Sequence, residues 1–365
     1  MSAFSYEVAS VHEAVRRAYP RSSDGIYAVP FYLVIGEPGS GRSTAVHAMN
    51  LTWPRGEGPL RTGLPVQLCT IWMPEEAVLI EPEAMVLGPR RNREHLRDLC
   101  EELKRERPRE PIDGIILVLS IAELIDLDER ALVDYANALR GYLVEIGRTL
   151  AADVPVYAVL TRYDTLWGFA DVFQWSADRK REEPWGFTLP SETPSQQALP
   201  RILEELNGLN ARMEAFCLAK LASEDPPEVR IRAFQHLAEV RNLMEKLRSV
   251  LGTVFMANAY ERAPWVRAVA IGSATPGTGN RLRASVQRFV NMGLQAPQLQ
   301  QPSARPGGLP IHAFMRTVVL PERELVPLKT RWRDDRLFVW LLIFGIVLWF
   351  GAIGSFVAFQ VMSMR

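Results

Sequence analysis

The residues best suited to chemistry are Gly36, Gly39, Ser40, Gly41, Arg42, Ser43 and Thr44, which form a Gly-x-x-x-x-Gly-x-Ser run. Glycines at this spacing let the backbone curl until its N–H groups face a phosphate, and a helix starting there adds favourable partial charge. Such loops ordinarily place a lysine before the hydroxyl residue, where a compact ammonium reaches the β- and γ-phosphates. Here that residue is Arg42. It keeps the charge but carries a wider planar fork, so the exchange is not conservative.

Phosphoryl transfer also needs an acidic strand end, commonly Asp-x-x-Gly, to organise Mg²⁺ and sense the γ-phosphate. The matching residues are Glu81-Pro82-Glu83-Ala84. Pro82 removes one N–H, Ala84 replaces the glycine, and Glu83 is expected to add negative charge where phosphates would sit. Ser43 and Glu81 are the candidate metal contacts, but the segment reads as degraded and no metal is expected. Arg90, Arg91, Arg93 and Arg97 are interleaved with Glu94, Asp98, Glu101 and Glu102, a solvated helix face rather than an arginine finger. A third landmark, Thr161-Arg162-Tyr163-Asp164, has the form of a guanine-reading Asn/Thr-Lys-x-Asp segment with arginine again in place of lysine. Ser273-Ala274 stands where such proteins often carry Ser-Ala beside the base.

The elements that must hold these residues follow from the apolar pattern. Residues 31–35 and 114–120 are continuous apolar runs suited to strands covered on both faces. Further strands are expected over 66–72, 77–80, 156–160 and 266–271, with helices over 11–18, 91–107 and 129–150. The alternation predicts an α/β fold: a P-loop NTPase-like, doubly wound, mostly parallel sheet. From 200 to 251 the pattern is helical, which predicts an insertion before the last strand. The expected organisation is an N-terminal helical segment (1–30), a P-loop core (31–190), a helical insertion (191–262) and a last strand with a flexible, membrane-proximal stretch (263–330). A transmembrane helix (337–361) completes it.

The chain has 365 residues with 42 basic and 42 acidic side chains, so no global field points to nucleic acid. Cys69, Cys100 and Cys217 are widely spaced and odd in number, which fits buried thiols in a reducing compartment. Met1 to Glu7 have neither a basic nor an apolar region of a secretory signal. Leu337 to Phe359 carry no charge, long enough for a helix to cross a ~30 Å hydrocarbon core. Arg323, Lys329, Arg331, Arg333 and Arg336 precede that stretch, and Arg365 follows it. Positive-inside logic keeps the N-terminal mass in the cytoplasm, as a tail-anchored, single-pass protein. Gly351/Ser355 and Gly354/Ala358 are spaced for packing against another transmembrane helix, giving a candidate oligomer contact.

Several blocks together resemble the cytoplasmic part of the IcmF/TssM family of type VI secretion systems. They are Tyr32 to Gly41, Cys69-Thr70-Ile71-Trp72, Arg107 to Leu117 with its Pro-Ile-Asp-Gly, and Pro155 to Asp164. Gly168-Phe169, Trp185-Gly186-Phe187 and Arg267 to Ala274 complete the set. The family's usual Gly-Lys-Thr and Asp-Thr-Ala-Gly are here Gly41-Arg42-Ser43 and Glu81-Pro82-Glu83-Ala84. Members usually begin with two transmembrane helices and continue past a third into a large periplasmic region; the span here resembles that third helix. The resemblance implies a bacterial inner-membrane location and a cytoplasmic face that engages a TssL-like partner and baseplate components. The expected function is a catalytically degenerate pseudo-NTPase acting as a scaffold or docking module. The alternative is a GTP- or ATP-binding switch that uses Mg²⁺.

Overall fold

The computed structural model describes residues 4–19, 25–54, 56, 58–60, 67–87, 93–173, 185–258, 261, 263–273, 309, 311–325 and 343–345. The chain divides into two units, Met1–Val326 and Pro327–Arg365. Only a helical turn at 343–345 is described in the second unit. Apart from that turn, the expected membrane span at 337–361 lies outside the described residues, as do Ala274 and almost all of the Pro- and Gln-rich stretch after it. Among the described residues, no helix is long and apolar enough to cross a membrane.

The first unit opens with α1 (Ser5–Ala18), β1 (Phe31–Ile35), α2 (Arg42–Ala48), β2 (Cys69–Trp72) and β3 (Val78–Pro82). It continues with α3 (Ala84–Leu87), α4 (Glu94–Glu106), β4 (Gly114–Ser120), α5 (Ile121–Leu124) and α6 (Glu129–Leu150). Then come β5 (Pro155–Thr161), α7 (Phe169–Phe173), β6 (Trp185–Thr188), α8 (Ser195–Leu221) and α9 (Pro227–Phe255). The last elements are β7 (Trp265–Ile271) and α10 (Ile311–Phe314), which runs into a π-helical turn at Met315–Val319.

The strands form one sheet in the order β2-β3-β1-β4-β5-β7-β6. The five inner strands are parallel, and β2 and β6 pair antiparallel at the two edges. The fold is thus mixed α/β with a mostly parallel sheet. Chain order reverses at β1, where α/β sheets open a crevice beyond the strand ends. The phosphate loop begins there.

Both faces of the sheet are covered, which is why β1, β4 and β5 are apolar without alternation. Phe31, Leu33 and Ile35 face a core built with α1, α4, α6 and the α8–α9 hairpin. Tyr32 and Val34 face a smaller core with Ala45 and Val46 of α2, Met49 just after it, and Ile311, Phe314, Met315 and Val319 of the last segment. The hairpin occupies the stretch expected to be helical. The sequence expectation lacked β6 and the cover supplied by residues 311–319.

Candidate functional site

The phosphate loop joins β1 to α2 and packs against the neighbouring strand. A Cβ on Gly36 would lie 2.4 Å from the Val118 carbonyl oxygen and 2.7 Å from Ser40 Oγ, so only glycine fits there. Gly41, at φ 86°, is the residue ahead of α2. Thr161 Oγ1, at the end of β5, donates to the Ser40 carbonyl at 2.8 Å. Tyr142 on α6 donates its hydroxyl to Glu37 Oε1 at 3.1 Å. The loop is therefore held from two strands and a helix.

Its cation is turned inward, and its hydroxyl, on the exposed Ser43, meets the same carboxylate. Arg42 Nη1 donates to the Pro82 carbonyl at 2.6 Å, and Arg42 Nε lies 3.5 Å from Glu81 Oε1. Ser43 Oγ is 2.9 and 3.0 Å from the two Glu81 oxygens. The Trp72 indole N–H donates to Glu81 Oε2 at 3.2 Å. Arg42 and Glu81 are both buried. The two candidate metal contacts thus meet each other, and Glu81 already serves three donor side chains. Trp72 was not legible as part of this site, because a tryptophan in a strand reads as core. It packs edge-on against His47 at 4.9 Å and against Trp53 at 6.2 Å between ring centres.

Other carboxylates stand close by. Burial holds Glu123 above the usual carboxylate range, the charge of Glu37 pushes the same way, and Arg162 opposes both. Glu83, expected beside the phosphates, accepts instead from Thr70 Oγ1 at 2.8 Å on the β2 edge. Among the described residues no three His, Cys, Asp or Glu side chains group to hold a metal.

The segment expected to read a base lies next to the loop. Arg162 adopts φ 60°, and its Nε would lie 3.6 Å from a Cβ on Gly41. Asp164 is buried, and Ser273 is buried with its N–H donating to the Leu309 carbonyl at 3.1 Å. Thr44 is exposed on the first turn of α2. So Gly36, Gly39, Ser40, Gly41, Arg42, Ser43, Thr161 and Arg162 form one neighbourhood.

Behind Arg162, the segment is fastened to α9. Tyr163 donates its hydroxyl to His236 Nε2 at 3.0 Å, and His236 Nδ1 donates to the Trp167 carbonyl at 2.7 Å. Burial pushes His236 down to about 4, so the ring is neutral and this tautomer is fixed by its two partners. Arg232 makes a two-pronged contact with Asp171 at 2.8 and 2.9 Å.

As it stands, this geometry does not fit a Mg²⁺–nucleotide complex. Arg42 points at a carbonyl and a carboxylate, and Glu81 has its oxygens engaged by Ser43 and Trp72. A cavity of about 390 Å³, lined by Ile115, Val156 and Trp265 among others, opens at the opposite, N-terminal ends of β4, β5 and β7 and takes no part in this chemistry.

The profile of the IcmF-related N-terminal domain matches residues 89–347, well over half of the chain. The chain belongs to the IcmF-related family. The match begins after the phosphate loop and Glu81, so membership itself carries no statement about those residues. The IcmF-related chain is also 28% identical, over 330 residues, to the type VI secretion system component TssM1 of Pseudomonas aeruginosa. That similarity covers 87% of this chain but only 30% of the relative. Among solved structures, the chain is similar to the signal recognition particle receptor SRβ-GTP/SRX complex from Chaetomium thermophilum, at 20% identity and TM-score 0.25, covering 38% of this chain and 71% of that one. It is also similar to the cytosolic domain of the T. maritima FeoB iron transporter in its GDP form, at 14% identity and TM-score 0.20, covering 61% and 96%. At these scores neither structure bears on function.

Proposed function

We propose that this IcmF-related chain is a component of a type VI-like secretion membrane complex, in which its P-loop module is a scaffold and docking element rather than a nucleotide hydrolase. The observation that carries this is the engagement of Arg42 and Ser43 by Glu81 and the Pro82 carbonyl. Phosphoryl transfer depends on a cation, a metal and a positioned nucleophile. Here the cation and the hydroxyl are committed to protein groups. The similarity to a named type VI component supports the setting.

In this reading Leu337 to Phe359 span the bacterial inner membrane once, with the α/β unit on the cytoplasmic side, where the basic residues from Arg323 to Arg336 lie. Anchoring confines the module beside membrane partners such as a TssL-like protein, which raises their effective concentration without new contacts. The proposed organisation keeps the boundaries 1–30, 31–190, 191–262, 263–330 and 337–361.

The experiment is phosphate release by the full chain in detergent, with GTP or ATP and Mg²⁺, alongside recovery of TssL-like and baseplate proteins from membranes. The expected result is partner recovery that persists in a Gly41→Asp variant, with no Mg²⁺-dependent turnover. The second reading, a GTP or ATP switch, is favoured by one observation: Arg162 and Thr161 are assembled against the loop. Turnover, or partner recovery that requires nucleotide and is lost in Gly41→Asp, would replace the scaffold by the switch.

A further inference from the structure

Helix α6 carries two buried tyrosines, Tyr135 and Tyr142, about two helical turns apart and so on one face. Tyr142 gives its hydroxyl to Glu37 at 3.1 Å. Tyr135 is 2% exposed, and its hydroxyl has no hydrogen-bond partner among the described residues. A buried polar atom left unpaired is rare in a native fold and calls for a reason. Its surroundings are acidic. Burial, then the charges of Glu123 and Glu37, raise the Tyr135 hydroxyl above its usual range. Glu123 is set by the turn after β4, where its own N–H donates to Ser120 Oγ at 3.3 Å. Burial and the charge of Glu37 raise its carboxyl, and Arg162 opposes them. Arg93 lies over the Tyr142 ring at 5.4 Å. Among the described residues, neither arginine forms an ion pair with Glu37 or Glu123, and no donor reaches the Glu123 carboxylate. Both carboxylates are half-buried, with the two phenols deeper in the fold.

From this arrangement we infer that Glu37, Glu123 and Tyr135 form a socket for a basic side chain of a partner protein, an arginine guanidinium above all. This deepens the docking reading and rests on it. A guanidinium presents its donors in a fixed planar fork, so one group can serve both carboxylates and still give an N–H to the Tyr135 oxygen. One cation between the two carboxylates also relieves their repulsion. A divalent metal is a poorer match. Ca²⁺ takes about six to eight oxygens, and no third acidic, His or Cys side chain joins the pair among the described residues.

The test is calorimetric titration of the full chain in detergent with argininamide and with Ca²⁺, beside recovery of membrane proteins with and without argininamide as competitor. Saturable argininamide binding is expected, weakened at least about tenfold in Glu123→Gln and severalfold in Tyr135→Phe. Should Glu123→Gln fail to fold, Glu37→Gln takes its place with a similar loss. Tyr135→Phe has a second readout. Removing an unpaired hydroxyl should leave the thermal midpoint of the unliganded chain at or above that of the parent, whereas a hydroxyl serving the fold would lower it. Affinity unchanged by these substitutions, or a lowered midpoint in Tyr135→Phe, overturns the socket. Ca²⁺ that displaces argininamide at equal or lower concentration overturns the organic-cation class. Recovery of a membrane protein that argininamide competes away and Glu123→Gln loses supports a partner's side chain. Argininamide binding with recovery unchanged in Glu123→Gln overturns the protein partner in favour of a small free cation. Mg²⁺-dependent turnover by the parent chain sinks the scaffold reading instead, a result separate from any change in argininamide affinity.

Discussion

Arg107 and Asp113 show how much one buried charge pair can decide. The Arg107 side chain is almost wholly buried, stacked 4.1 Å over the Phe31 ring and 3.0 Å from Asp113 Oδ2. The same Asp113 oxygen accepts from the Phe31 N–H at 2.6 Å, which ties the start of β1 to the turn ahead of β4. Asp113→Ala leaves a buried guanidinium unpaired, and the expected loss is about 3–5 kcal/mol in urea unfolding of the full chain. Glu110, nearby, is pushed up to about 7 by burial, with Asp113 adding to the effect and Arg107 opposing it. The folded state therefore holds that proton more tightly than the unfolded chain. Its contribution to stability is present below pH 4.5 and lost as pH rises through 7. Urea midpoints measured across that window should fall, and Glu110→Gln should flatten the trend. These roles explain the Pro-Ile-Asp-Gly block that marked the family in the sequence. The phosphate-loop residues were legible because their spacing is itself chemistry. The bond from Trp72 to Glu81 was not, since it depends on the antiparallel register that sets Thr70 opposite Glu81 and Trp72 opposite Leu79.

Elements meet the same logic at larger spacing. Gly114 opens β4 between two rings: a Cβ there would lie 2.9 Å from Tyr32 and 3.0 Å from Tyr157. Gly114→Ala should cost about 1–3 kcal/mol through overpacking, seen as a lowered thermal midpoint. The hub joining the loop after β5 to α9 can be taken apart in the same way. His236→Leu leaves the Tyr163 hydroxyl and the Trp167 carbonyl without their partner, an expected loss of about 1–3 kcal/mol for each unsatisfied group. Tyr163→Phe on top of His236→Leu should recover part of it, and additive losses would show that the two residues do not act as a unit. The main strands and the α8–α9 hairpin were readable from apolar runs and helical spacing. The four-residue β6 was not, because its strand character comes from pairing with β7 rather than from any periodicity of its own.

For the molecule as a whole, the segment from 311 to 319 is part of the core rather than a tether, and Glu322 beyond it is tied to the sheet. Glu322 accepts from Tyr157 at 2.9 Å and pairs with Arg267, while Arg316 donates to the Asn50 carbonyl at 3.2 Å. Glu322→Ala should lower stability by about 3 kcal/mol, because Arg267 is buried and would lose its carboxylate. A chain ending at residue 325 should unfold cooperatively in urea, whereas one ending at 308 should bind an apolar dye and lose its sharp transition. Residues 311–325 do not announce this cover in the sequence, since their apolar residues follow a stretch rich in Pro and Gln and are cut short by Pro321 and the charged run after it.

The Tyr32 hydroxyl finds its acceptor, the Val319 carbonyl, 287 residues further along the chain. Synthesis runs at roughly 5–20 residues per second, so the earliest strand waits many seconds with one flank of its sheet bare. During that interval apolar surface of the nascent polypeptide is left open to aggregation. Its maturation ends only when the final stretch of the unit has left the ribosome and closed over the strands made first.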